Sequence, residues 1–212
     1  MLQYITDNKC SRTVEDQIKD VLEAGGKWIE IDTDGISDLR VKEIVTAVMP
    51  LCIEKEAFLV LKDKVDLAKE INVGGVVLSQ GSDFPSHARA SLGAAAVIGV
   101  MVNSTSQIAA LNGLDVDFVM FAPYKAIPGC DAQPLGIDVI KELCAYMETS
   151  GSELPRVAAG GVAFEDIKPL MEAGCNGVAM SESLADAPDL KEAVEDAINL
   201  LKVFEKKEED NI

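Results

Sequence analysis

The sequence predicts a single-domain α/β protein folded as a (β/α)8 TIM barrel, and three observations carry that prediction. Short apolar runs alternate with segments of helical periodicity about eight times along the chain, at a spacing of roughly 25 residues. Most of these runs are continuously apolar, as parallel strands covered by helices must be. The first strand-to-helix turn lacks the G-x-G-x-x-G pattern of dinucleotide-binding open sheets, which disfavours a doubly wound sheet, the structural alternative.

The elements follow in order. Leu2 to Thr6 reads as a strand that ends at the turn formers Asp7 and Asn8. Thr13 to Ala24 repeats apolar residues at helical spacing. Thr13 is a candidate cap and Asp16 suits the positive end of the helix dipole, while Gly25 and Gly26 stop the helix. Lys27 to Asp32 is the second strand, with a helix from about Ser37. Phe58 to Leu61 and Gly75 to Leu78 follow, each trailed by a helix, the first through Leu67 and Ala68 and the second through Ala88 and Leu92. The second half repeats the rhythm with Ala96 to Met101, Phe118 to Phe121, Val157 to Ala159 and Gly177 to Met180. Ile137 to Met147 is the clearest of its helices. The barrel is expected over residues 1–204, and the charge run from Glu205 to Asp210 is assigned to a solvated tail over 205–212.

Composition narrows the function. The 212 residues are 48% hydrophobic and 26% charged, enough for one domain with a substantial core and incompatible with intrinsic disorder. Lys and Arg number 19 against 36 Asp and Glu, a formal charge of −17 that repels polyanions, so nucleic acid is not an expected partner. No apolar run reaches the roughly 20 residues of a membrane span, and no basic stretch precedes an apolar one at the start, so a cytoplasmic location is expected. The cysteines Cys10, Cys52, Cys130, Cys144 and Cys175 are scattered, with no C-x-x-C pair, and read as buried thiols. Trp28, on a strand, reads as core.

In a barrel of this kind chemistry sits at the carboxyl ends of the strands, and phosphate often binds after the seventh and eighth. Gly160-Gly161 follows the seventh strand and Ser181-Glu182-Ser183 the eighth. Glycines let backbone amides approach an anion, although they serve equally well in a tight turn, and Glu182 counts against phosphate. Asp63 and Asp83 follow the third and fourth strands and suit a magnesium ion, which takes one or two carboxylates and fills its shell with water and substrate phosphate. Asp83 is equally placed to cap a helix. His87 lies within the fourth helix and reads as a solvated position; Lys125, after the sixth strand, can meet an anionic substrate or simply lie exposed.

Taken together, YITDN at Tyr4 to Asn8, KDKVDLAKE at Lys62 to Glu70, DFP at Asp83 to Pro85, DFVMFAP at Asp117 to Pro123, and AAGGV with AGCNGVAMS near the end resemble thiamine phosphate synthase over about residues 2 to 186. The resemblance implies a reaction in which an aminopyrimidine pyrophosphate is joined to a thiazole phosphate. Magnesium helps expel pyrophosphate, leaving a pyrimidine carbocation that the thiazole nitrogen captures. It places Asp63 and Asp83 on the magnesium carboxylates, Gly160 and Gly161 on the thiazole-phosphate loop, and Gln80 on a polar position at the end of the fourth strand. It implies a small phosphorylated heterocycle as substrate; relatives are often homo-oligomers, a state the sequence leaves open.

The departures from the family run in one electrostatic direction. Glu30, Asp32 and Asp34 stand where the family usually carries Gln, Arg and Lys, Lys62 replaces an Asn, and Met101 replaces a Ser. Glu182 stands at a phosphate-binding serine beside Ser181. Lys62 and Lys125 are the cations left to assist the chemistry. Unit charges about 4 Å apart interact by roughly 4 kcal/mol at an effective dielectric of 20, so pyrophosphate binding and synthase activity are expected to be weakened. The histidine of the related thiazole tautomerases corresponds to Asn103, which cannot act as a base. Two other readings remain at this point: a noncatalytic barrel binding a phosphorylated or cationic heterocycle, and an acid-lined enzyme of different specificity.

Overall fold

In the computed structural model the described residues are 1–129 and 131–209, the side chains of 205–209 excepted. Eight parallel strands close on themselves in sequence order. The first half runs β1 (Leu2–Ile5), α1 (Val14–Glu23), β2 (Trp28–Ile31), α2 (Asp38–Glu54), β3 (Phe58–Lys62), α3 (Val65–Ile71), β4 (Gly75–Leu78) and α4 (Pro85–Leu92). The second half runs β5 (Val97–Val102), α5 (Thr105–Ala110), β6 (Phe118–Phe121), α6 (Gly136–Thr149), β7 (Arg156–Ala158), α7 (Phe164–Glu172), β8 (Gly177–Met180), α8 (Glu182–Ala185) and α9 (Leu190–Glu209). The barrel prediction holds, with β5 shifted one residue along from its expected span and β7 one residue back. The charge run from Glu205 continues α9 through Glu209, and residues 210–212, like Cys130, lie outside the described residues.

Local chemistry starts the helices as expected. Thr13 Oγ1 accepts from the Asp16 amide at 3.1 Å, and Ser37 Oγ accepts from the Arg40 amide at 3.2 Å. Period-two alternation then divides each strand between two cores. Outward residues such as Ile29, Ile31, Leu59, Leu61 and Val76 pack under the helices. Inward residues, Val60, Val77, Phe118, Met120, Val157, Ala159 and Ala179, fill the barrel. Trp28 joins this inner cluster, meeting Phe118 edge-to-face with ring centroids 4.8 Å apart.

The inner core leaves its upper end to polar groups. Register pairs Ile5 with Glu30 and Glu30 with Val60, so Glu30 enters the barrel interior, and Gln3 on β1 points to the same place. Lys62 is the last residue of β3, facing Val77 of β4 in register, and Asp32 lies one residue past β2. The four described cysteines Cys10, Cys52, Cys144 and Cys175 are free thiols. Among the described residues no helix is long and apolar enough to cross a membrane.

Candidate active site

A cavity of about 800 Å3 opens at the carboxyl ends of the strands. Its floor is the top of the inner core, where Met101, Ala122, Ala159 and Ala179 present apolar surface. Ile127 and Pro128, from the loop between β6 and α6, close one side. Charged groups gather on the opposite wall. Asp7, Glu30, Asp32, Asp34 and Glu182 line the cavity against Lys9 and Lys62, so the acidic rim expected from the sequence is present.

That wall is organised around Lys62. Its ammonium lies 3.3 Å from Asp32 Oδ1 and is hydrogen-bonded to Asp34. Burial works against the Lys62 charge, but the hydrogen bond and charges of Asp34 and Asp32 raise its pKa. The loop carrying these acids is held by backbone contacts. Asn8 Nδ2 donates to the Asp32 carbonyl at 2.8 Å, Thr6 Oγ1 accepts from the Asp32 amide at 3.0 Å, and Asp32 Oδ1 accepts from the Asp34 amide at 3.1 Å. Glu30 lies deeper, fully buried, and accepts from Gln3 Nε2 at 2.8 Å. Burial first, and Asp32 second, push its pKa up to about 8.

Asp63 and Asp83 stand just outside this lining. Asp63 has φ 55, and both its oxygens accept from Ser79: Oδ1 from the amide and Oδ2 from the hydroxyl, each at 2.7 Å. Asp83 Oδ1 accepts from the Phe84 amide at 2.8 Å, and Oδ2 lies 2.6 Å from His87 Nδ1, whose hydrogen bond lowers the Asp83 pKa. His87 is half-exposed on α4, as expected, but is tied to Asp83. No group of three or more His, Cys, Asp or Glu suited to a metal occurs among the described residues. The donor set therefore fits magnesium only as an ion that completes its shell with water and ligand phosphate, for which hard carboxylate oxygens with lone pairs to spare are suitable.

The glycine loop has a structural cause and a chemical consequence. Gly160 and Gly161 have φ 88 and 70, and a Cβ on either would sit 2.9 Å from Pro123 Cα or Lys125 Cβ respectively. The β6 chain presses against them, with the Tyr124 amide donating to the Ala159 carbonyl at 2.7 Å and the Lys125 amide to that of Gly160 at 2.9 Å. The Gly160 and Gly161 amides have no hydrogen-bond partner among the described residues, which leaves two donors at the cavity edge for an anion. Ser181, Glu182 and Ser183 face them, and Ser183 Oγ donates to the Val162 carbonyl at 2.7 Å.

The residues singled out in the sequence are thus brought together unevenly. Glu30, Asp32, Lys62, Gln80, Met101, Gly160, Gly161, Ser181 and Glu182 line one cavity. Lys125 does not: its ammonium turns to Asp166 at 2.5 Å, and only its backbone serves the glycine loop. Asp7, Lys9 and Ser79 were missed, although each follows a strand end closely enough for the strand-end rule to have found it.

The sequence profile of the thiamine monophosphate synthase family matches residues 2–184. The thiamine-phosphate synthase of Bacteroides fragilis is 33% identical over 202 residues, covering 94% of this chain and 98% of that protein. The thiamine-phosphate synthase of Bacteroides thetaiotaomicron is 32% identical over 206 residues, covering 96% and 98%. In fold, the thiamine phosphate pyrophosphorylase of Pyrococcus furiosus superposes with a TM-score of 0.84 at 20% identity, covering 96% of both chains. With a strand-end cavity in a closed barrel and a likeness that runs nearly end to end, the chain belongs to the thiamine monophosphate synthase family.

Proposed function

We propose that the chain condenses an aminopyrimidine diphosphate with a thiazole phosphate to give thiamine phosphate and pyrophosphate. The family match over residues 2–184 carries this reading, and it supports a synthase over a ligand-carrying barrel or an acid-lined enzyme of another kind. The chemistry asks little proton transfer of the protein. The carbon–oxygen bond to diphosphate breaks, its electron pair leaves with pyrophosphate, and the thiazole nitrogen supplies the pair for the new carbon–nitrogen bond.

Each part of the cavity has a task in that reaction. The apolar floor at Met101, Ala122 and Ala159 packs the ring faces and excludes water from the cationic centre. The free amides of Gly160 and Gly161 hold the thiazole phosphate, with Ser181 and Ser183 opposite. Lys62 and Lys9 meet the diphosphate, and Asp63 and Asp83 would hold magnesium. The ion's contribution is to neutralise charge as pyrophosphate departs. Gln80 orients ligand at the end of β4. The acids Asp32 and Asp34 oppose ground-state binding of the diphosphate, so a high KM for it is part of the proposal.

The test is direct. Purified protein is incubated with magnesium, the aminopyrimidine diphosphate and the thiazole phosphate, and thiamine phosphate and pyrophosphate are measured together. Equal amounts of both, absent without magnesium, are expected; product no faster than in a protein-free control refutes the reading.

A further inference from the structure

Glu30 is fully buried, yet only one of its oxygens is hydrogen-bonded. Oε2 accepts from Gln3 Nε2 at 2.8 Å, while Glu30 Oε1 and Gln3 Oε1 are both buried with no partner. Two facing groups thus leave two acceptors and no donor between them, and a proton on the Glu30 carboxyl supplies the missing donor. The surrounding charges favour that proton. Asp32 and Asp34 continue from β2, Asp63 follows β3, and Lys62, the cation of the group, is engaged by Asp32 and Asp34. From β1 comes only the uncharged Gln3. An ionised Glu30 here would be buried, half-bonded and among other carboxylates, which is costly.

We propose that Glu30 is a positioning residue that keeps its proton while the site holds an anion. Uncharged, it leaves Lys62 facing only Asp32 and Asp34. On losing the proton it adds a negative charge beneath them, draws on the same lysine, and weakens the hold on the anion. Burial, followed by the charge of Asp32, raises the Glu30 pKa to about 8 in keeping with this. The inference rests on the proposed function only in taking that anion to be diphosphate-like.

Glu30→Gln keeps the shape and a partner for Gln3 but cannot ionise. Inorganic pyrophosphate with magnesium is titrated calorimetrically into the full chain and this variant between about pH 6.5 and about pH 9.5. The affinity of the unaltered chain should fall roughly tenfold relative to the variant as pH passes about 8, because ionisation of pyrophosphate itself is common to both. Parallel profiles, or no binding by the unaltered chain at neutral pH, overturn the proposal. Infrared difference spectra supply a ligand-free readout: the carbonyl stretch of a protonated carboxyl, present at neutral pH, lost in alkali and absent from the variant. Its absence at neutral pH also overturns the proposal. Thiamine phosphate formation is assayed alongside; if neither protein makes product, the synthase reading fails while these pH readouts still decide the role of Glu30.

Discussion

The ring of Phe118 fills the space that a side chain on Gly99 would need. The two residues are partners in register on β5 and β6, and a Cβ on Gly99 would overlap the ring. Phe118 in turn supports Trp28, so one glycine admits the aromatic pair that fills the barrel beneath the cavity. Gly99→Ala is expected to cost about 1–3 kcal/mol through overpacking, read from urea denaturation. Adding Phe118→Leu should recover part of the loss; a double variant no more stable than the single one contradicts this packing account.

Lys62 is the partly buried cation facing the acidic wall, and it is shared between Asp32 and Asp34. Lys62→Met is expected to weaken pyrophosphate binding by a factor of ten or more, since removal leaves those acids uncompensated. Asp34→Asn frees the ammonium and should tighten the same binding. Calorimetry on both variants checks the pair, and a Lys62→Met variant binding as well as its parent would remove the lysine from the site.

Gly161 has φ 70 and lies against Lys125 Cβ. Gly161→Ala is expected to cost about 1–2 kcal/mol in backbone strain and to move an amide donor away from the cavity. Steady-state kinetics should show a raised KM for the thiazole phosphate with that for the diphosphate little changed. Equal changes in both would mean that the loop serves the whole cavity.

Asp63→Asn retains a residue tolerant of left-handed backbone and an oxygen for Ser79, but loses the charge. A fall of 100-fold or so in magnesium-dependent turnover is expected, with thermal stability nearly unchanged. Unaltered turnover would take Asp63 out of the magnesium site.

Glu30 also sets a pH dependence of folding. Its pKa is raised from 4.5 to about 8, so between those values the folded chain binds more protons than the unfolded one. Stability therefore falls as pH rises through that window and levels off above it, at up to about 1.4 kcal/mol per pH unit. Chemical denaturation across pH should show this slope in the unaltered chain and a shallower one in Glu30→Gln. Identical slopes would show that Glu30 is ionised in the folded state.

The barrel was legible because its signal is local and repeated. Continuous apolar runs such as Phe118 to Phe121 and capped helices such as the one begun by Thr13 state strand and helix within a few residues. Glycines at Gly160 and Gly161 and acids at Glu30 and Asp32 were visible for the same reason, since each falls at a strand end. The direction of Lys125 was not, because its choice of Asp166 depends on a residue 41 positions away.

By itself, then, the sequence determined the closed eightfold alternation of strand and helix, the acidic balance and the family, all of which reside in residue type and spacing. Only the tertiary structure decided which charges meet: Lys62 with Asp32 and Asp34, Asp63 with Ser79, Asp83 with His87, and Glu30 with Gln3. Side-chain pairing across strands depends on register and burial, and a carboxyl's charge depends on how far it lies from water. Neither quantity exists until the barrel has closed.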